Sequence, residues 1–402
     1  MLYPKNIEQK LGFDRIREML QERCSGPVGR LFVEKMRFTD KFHLIERLVS
    51  QVAEFVKLLA SGSDFPRNNY IDIGPSLKKA AIPGAFLQLD EFYDLKRALL
   101  TLGGCLEFFE KDEKNEYPEL KRLADKVVFD RQLLRDLEAV IDDRGQLRDN
   151  ASPELARIRQ QLHNSHHSIR KKMDQMVRDF KSKGFAKEGV SPTIRDGRMV
   201  IPVAAEYKRT IKGFVHDSSA TGQTVYIEPE EVLNINNEIR ELELRQRQEI
   251  IKILTRLTDK LRPAAENLGE ANRFLGKMDF VQAKASFALE IEAIHPPAED
   301  GPFMEWYHAI HPLLLVSHRR QNKPVVPQDV RLDAENRILL ISGPNAGGKS
   351  VTLKTVGLIQ YMFQCGLLVP VLETSKMGVF KNIFIDIGDQ QSLDDDLSTY
   401  SS

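Results

Sequence analysis

The sequence contains one tryptophan, three cysteines and no surplus of either charge. Cys24, Cys105 and Cys365 are odd in number and far apart, which excludes a disulfide framework and any metal-ligand spacing among them. A reducing compartment is the expected setting. Lysine plus arginine number 58 and aspartate plus glutamate number 58, so there is no bulk positive field. Any nucleic-acid contact has to come from local patches. Long apolar runs are also missing. The most apolar region, 356–372, is interrupted by Gln360, Gln364, two glycines and Pro370, too broken to span a bilayer. The opening MLYPKNIEQK is polar where a secretory signal would turn apolar. These absences lead to the expectation of a cytoplasmic protein with no membrane partner.

What is present is a chain of 402 residues, 42% hydrophobic and 29% charged, in keeping with a soluble, helix-rich protein of several domains. Residues 1–128 read as short helices joined by turns, with Ile16, Met19, Leu31 and Met36 marking apolar faces. NASPEL then predicts a helix start: Ser152 caps, Pro153 fits the first turn and Glu154 suits the positive helix end. Leu155, Ile158, Leu162, Ile169, Met173, Met176 and Phe180 form one seam of a long helix ending near Lys183 and Gly184. A second long helix, 231–261, carries Val232, Ile235, Ile239, Leu242, Ile250, Ile253 and Leu257. Two such seams are predicted to pair antiparallel. Between them, 198–203, 213–216 and 223–228 read as short strands, giving a helical arm with a small sheet at its tip.

GPNAGGKS, 343–350, matches G-x-x-x-x-G-K-[ST], and 336–342 before it is expected to be a buried parallel strand. The glycines let backbone N–H groups turn around phosphate oxygens. Gly343, Pro344, Asn345, Ala346, Gly347, Gly348, Lys349, Ser350 and Val351 are therefore the candidate nucleotide-binding residues. Lys349 reaches the β- and γ-phosphates of ATP and Ser350 ligates Mg²⁺, which makes these two the catalytic candidates. A hydrolase also needs a strand ending in a carboxylate; Asp386, after NIFI, is the candidate within the chain, although Ile387 and Gly388 follow it instead of a glutamate.

GPNAGGKS, IFIDIGDQQSLDDDLSTYSS, GRMVIPVAAEYKRTIKGFVHDSSATGQTVYIEP, LNINNEIREL and MDFVQAKASFA together resemble the MutS family, a branch of the ABC-type ATPases. The likeness is closer to the second-paralogue branch, linked to recombination suppression and ribosome rescue, than to the mismatch-repair branch. The resemblance covers 130–402 and, more loosely, the N-terminal helices. It implies a multidomain α fold with an α/β part. The expected division is a helical N-terminal core (1–128), an ascending lever helix (129–190), a small β clamp (191–230), a descending lever and core (231–300) and the first half of a P-loop ATPase domain (301–402).

By the same resemblance Asn345 lies near the γ-phosphate, Val325 and Val326 pack against adenine, and Ser398 is the signature serine that reaches the partner's nucleotide in a homodimer. Asp386 is then not the Walker B carboxylate, which is expected after Ser402 together with a C-terminal Smr endonuclease domain. A partial chain, binding nucleotide weakly, is the expectation. ATP and Mg²⁺ are the implied cofactors. Branched DNA, the ribosome, or both are the implied partners.

Lys208, Arg209 and Lys212 at a turn of the clamp, and Lys171 and Lys172 with Arg170, Lys181, Lys183 and Lys187 along the first lever, are candidate backbone-phosphate contacts or solvated faces. Two Phe-x-Glu matches, Phe32-Val-Glu34 and Phe108-Phe-Glu110, sit in helical surroundings and read as packing residues instead of mismatch wedges. His163, His166 and His167 read as a solvated helix face. His311, beside Pro312, receives no chemical role. The alternatives left open are a mismatch-repair protein, a small-molecule P-loop kinase and a coiled-coil scaffold.

Overall fold

Local signals set most of the elements of the computed structural model, which describes residues 2–321, 323–342 and 348–386. Strand β1 (Leu2–Tyr3) precedes helices α1 (Ile7–Leu11), α2 (Phe13–Arg23), α3 (Pro27–Lys35), α4 (Phe42–Ala60), α5 (Gly74–Ala80), α6 (Leu89–Glu110), α7 (Pro118–Lys121) and α8 (Arg131–Val140). Next come α9 (Pro153–Ser182), β2 (Thr193–Arg195), β3 (Arg198–Ala204), β4 (Gly213–Ser218), β5 (Thr224–Pro229) and α10 (Glu230–Leu261). The remainder is α11 (Ala265–Glu290), β6 (Met304–Ala309), α12 (Pro312–Gln321), β7 (Gln328–Leu332), α13 (Lys349–Gln364), β8 (Lys376–Met377) and β9 (Ile383–Phe384). Contacts divide the chain into two units, one built from Lys79–Tyr93 and Arg135–Pro263, the other from the remaining described residues. The architecture is mixed and mostly helical.

In the first of these units, α9 and α10 are helices of 30 and 32 residues, each about 45 Å long. Ser152 caps α9 as its sequence predicts, accepting from the Leu155 N–H at 3.0 Å, and its own hydroxyl donates to Glu249 of α10 at 2.7 Å. That contact places the start of α9 beside the second half of α10, while Phe180 and Val232 share one core at the opposite end, so the pair is antiparallel. The seam differs from the expected one at three places. Asn236 is buried where Ile235 was expected, because its amide pairs with the Met199 backbone. Val177 is buried where Met176 was expected, because the straight 3.6-residue period favours the fourth residue after Met173. Glu249 is buried in place of Ile250, stabilised there by the Ser152 hydroxyl.

The sheet between these helices has the order β2-β3-β5-β4, every pair antiparallel. Asp196 and Gly197 form the two-residue β2–β3 turn, both with positive φ, 49° and 72°. That is the geometry for which Asp-Gly is favoured. Ile201, Val203, Val225 and Ile227 face α9 and α10 in a shared core. A polar network locks sheet to helix. The Asn236 side chain accepts from the Met199 N–H and donates to the Met199 carbonyl, each at 3.1 Å, as a neighbouring strand would. It also donates to Glu228 at 2.7 Å, where Arg198 Nη1 donates at 2.8 Å and His216 Nε2 lies at 2.6 Å. The Glu228 side chain is 1% exposed, so these partners offset the cost of burying its charge.

In the other unit α2, α3 and α4 pack on α11. Asp279 of α11, completely buried, accepts from the Ser25 and Gly26 N–H groups at 2.8 and 2.9 Å and so fixes the turn that leads into α3. Ile16 and Met36 are buried as expected, whereas Leu31 is exposed because it lies on the outer face of α3. Phe32 stacks on Phe280, and Phe108 packs with Phe65, Phe109 and Tyr117. Both Phe-x-Glu matches therefore fall on helices, α3 and α6. β7, β6 and β8 form an antiparallel sheet, and β1 pairs with β9 in parallel.

Candidate nucleotide and nucleic-acid sites

Gly348 is the N-cap of α13 with φ 77°, a left-handed conformation that a β-carbon would strain. Lys349 and Ser350 are the first two helical residues and both are half-buried. The Thr352 N–H closes the first turn on the Gly348 carbonyl at 2.9 Å. A glycine in this conformation opening a 16-residue helix presents a positive helix end and leaves the Lys349 side chain beside it. An anionic phosphate with a hydrated divalent cation fits that donor set. Gly343, Pro344, Asn345, Ala346, Gly347 and Ser398 lie outside the described residues. Val325 is half-buried and Val326 is 72% exposed.

The run 336–342 is not the buried parallel strand that its composition predicts. Among the described residues it pairs with no strand, and Ile338 and Leu340 are 90% and 89% exposed. A parallel strand is stable only where neighbours take up its backbone groups and both faces are covered. β9 instead pairs with β1, Leu2 opposite Ile383 and Tyr3 opposite Phe384. A cavity of about 390 Å³ lies between this run and α13, lined by Leu339, Ile341, Leu353, Val356, Ile383 and Asp386. Asp386 thus stands near the helix that starts with Lys349, and it is exposed.

The far half of α13 is embedded. Tyr361 donates to Glu8 at 2.8 Å, and Gln364 donates to the Thr39 and Phe380 carbonyls at 2.9 and 2.8 Å. Lys284 of α11, wholly buried, donates to the Cys365 and Gly366 carbonyls at the C-terminal end of α13, at 3.3 and 3.0 Å. Burial lowers its pKa to about 8. His311, 2% exposed, accepts from the Leu314 N–H through Nδ1 at the start of α12, while its Nε2 has no hydrogen-bond partner among the described residues. Burial, and next the Lys354 ammonium of α13, lower the His311 pKa to about 4. Sequence reasoning gave neither residue a role. The signal available for Lys284 was a lysine within the apolar stretch FVQAKASFA.

Of the candidate nucleic-acid contacts, Lys208, Arg209, Lys212, Lys171 and Lys172 are all exposed. The fold brings Lys172 of α9 and Lys212 of the turn before β4 to one cleft and leaves Lys171, Lys208 and Arg209 off its lining. His163, His166 and His167 are exposed on α9. Among the described residues no group of three or more His, Cys, Asp or Glu is placed to hold a metal ion. No helix among them is long and apolar enough to cross a membrane.

Residues 339–402 match the family model described as MutS domain V. Over 98% of its length the chain is 36% identical to a protein of Geobacillus sp. (strain WCH70) and 37% identical to one of Lactobacillus helveticus, each named Endonuclease MutS2. It is 34% identical over 99% of its length to the Endonuclease MutS2 of Enterococcus faecalis. The chain spans about half the length of these curated relatives, 49–50%.

Proposed function

Because the chain belongs to the MutS2 family, we propose that it binds ATP and Mg²⁺ at 343–351 and acts as a nucleotide-switched clamp on DNA. The observation carrying this reading is left-handed Gly348 heading α13, with Lys349 and Ser350 as its first helical residues. The amides of this turn and the Lys349 ammonium would hold the β- and γ-phosphates, and the Ser350 hydroxyl would hold Mg²⁺. When bound, Mg²⁺ would supply neutralisation of phosphate charge. The Lys349 charge lowers the barrier by stabilising negative charge that builds during phosphoryl transfer. Val325 and Val326 flank the base. Ser398 of a second copy completes the site in a homodimer.

α13 is the element that carries the nucleotide state onward. Its first turn faces the phosphates, and its last turn is bonded to α11 through Lys284. α11 follows α10 after the short turn Arg262–Ala264, and α10 holds the β2–β5 sheet through Asn236. The sheet and the α9 end beside it grip the nucleic acid. DNA is the favoured target because the chain belongs to the MutS2 family, and branched DNA is the form proposed here. No residue here is assigned to strand cleavage.

The test is a titration of fluorescent ATP analogue into wild-type and Lys349→Ala protein. The variant is expected to bind at least about tenfold more weakly, given the usual strength of a charged phosphate contact. Equal affinity overturns the phosphate site. Gel-shift of a four-way junction with and without ATP tests the clamp, and co-sedimentation with ribosomes in place of junction binding would overturn DNA as the target.

A further inference from the structure

The cleft that joins Lys172 to Lys212 differs from an ordinary charged face. It encloses about 950 Å³ in the α9–sheet unit, between the end of α9 and the turn before β4. Lys172, Arg178, Lys183 and Lys212 line it, while Met176 and Phe185 contribute an apolar floor. Two acids also border it, but Asp179 is bonded to Lys183 at 2.7 Å, which leaves Glu231. In a chain of zero net charge this is a local positive excess. Phe185 packs in tilted contact with both Phe180 and Tyr207, ring centroids 6.2 and 4.9 Å away.

Cations around an apolar, aromatic-backed floor are the combination that suits a single strand, whose phosphates and base faces are both accessible. A duplex hides its base faces in the stack and offers only phosphates to the rim. We infer that this cleft binds a few nucleotides of single-stranded nucleic acid, phosphates on Lys172, Arg178 and Lys212 and a base against Met176 and Phe185. The inference rests on the nucleic-acid reading above and narrows it to the unpaired segment of a branched substrate.

Fluorescence anisotropy with a labelled deoxyuridine oligomer, the corresponding uridine oligomer and a duplex of equal length tests it. Lys172→Ala/Lys212→Ala is expected to weaken oligomer binding roughly tenfold and to lower its salt slope by about 1.4. Met176→Ser is expected to weaken the single strand several-fold and leave the duplex unchanged. Lys126→Glu, in the other unit, serves as the control and binds as wild type. All four substituted side chains are exposed or half-buried, so thermal melts should remain close to wild type. Equal losses for duplex and single strand overturn the single-strand assignment while leaving the nucleic-acid reading standing. If no nucleic acid binds the wild type, both fall, whatever the nucleotide titration gives. Comparison of the two oligomers reports whether the sugar is read.

Discussion

His311 is a residue whose setting fixes its chemistry more firmly than its neighbours in sequence do. Buried and facing Lys354, it stays neutral until about pH 4, whereas the unfolded side chain takes up its proton near 6.5. Between those values the unfolded state binds more protons, so stability is lost as pH falls through the window. His311→Asn, which retains a group able to cap α12, is expected to flatten that part of the pH dependence. Urea midpoints at pH 7 and pH 5 measure it, and an unchanged difference between wild type and variant would refute the burial argument. Nothing in the string AIHPLL distinguishes a buried histidine from an exposed one. Lys349 is the opposite case. Its role is proposed from the spacing of the motif together with the left-handed Gly348 that precedes it.

At the level of elements, legibility followed the period of the apolar residues. α9 and α10 were readable because two long seams repeat at threes, fours and sevens, and the cap at Ser152 marked the start of the first. The seams erred where a polar side chain took a core position. Glu249 and Asn236 both occupy seam positions with a partner waiting across the interface, Ser152 for one and the Met199 backbone for the other. An asparagine at Asn236, four residues after Val232 and three before Ile239, was a visible irregularity that periodicity treats as noise. Asn236→Ala would strand the Met199 amide, its carbonyl and part of the Glu228 charge, at about 2–3 kcal/mol. Hydrogen exchange at Met199 is expected to quicken in the variant far more than in Ile239→Leu, which disturbs packing alone. Similar protection in both variants would show that the network is dispensable. The 336–342 run failed for the complementary reason: strand formation depends on neighbours, and no local property of ENRILLIS reports whether they are there.

Over the whole molecule, balanced charge and the absence of an apolar span bound the class of protein, and the helical content was legible. How contacts divide the chain was less so. Lys79–Tyr93 belongs with the α9–α10 unit although it is distant in sequence, because Arg262 donates to the Ala80 and Ala85 carbonyls and Thr258 accepts from the Leu87 N–H. Those are single long-range hydrogen bonds that leave no periodic trace. The cysteines, which at first only excluded a disulfide scaffold, also have a use. Cys24, Cys105 and Cys365 all lie in the unit that contains α13, all are buried, and burial raises each thiol, Cys24 to about 12. A thiolate-specific reagent should therefore leave the native protein almost untouched, and its uptake would time the opening of that unit while the cysteine-free α9–α10 unit stays silent. Labelling rates with and without nucleotide would then turn three inert side chains into a clock for the unit that holds α13.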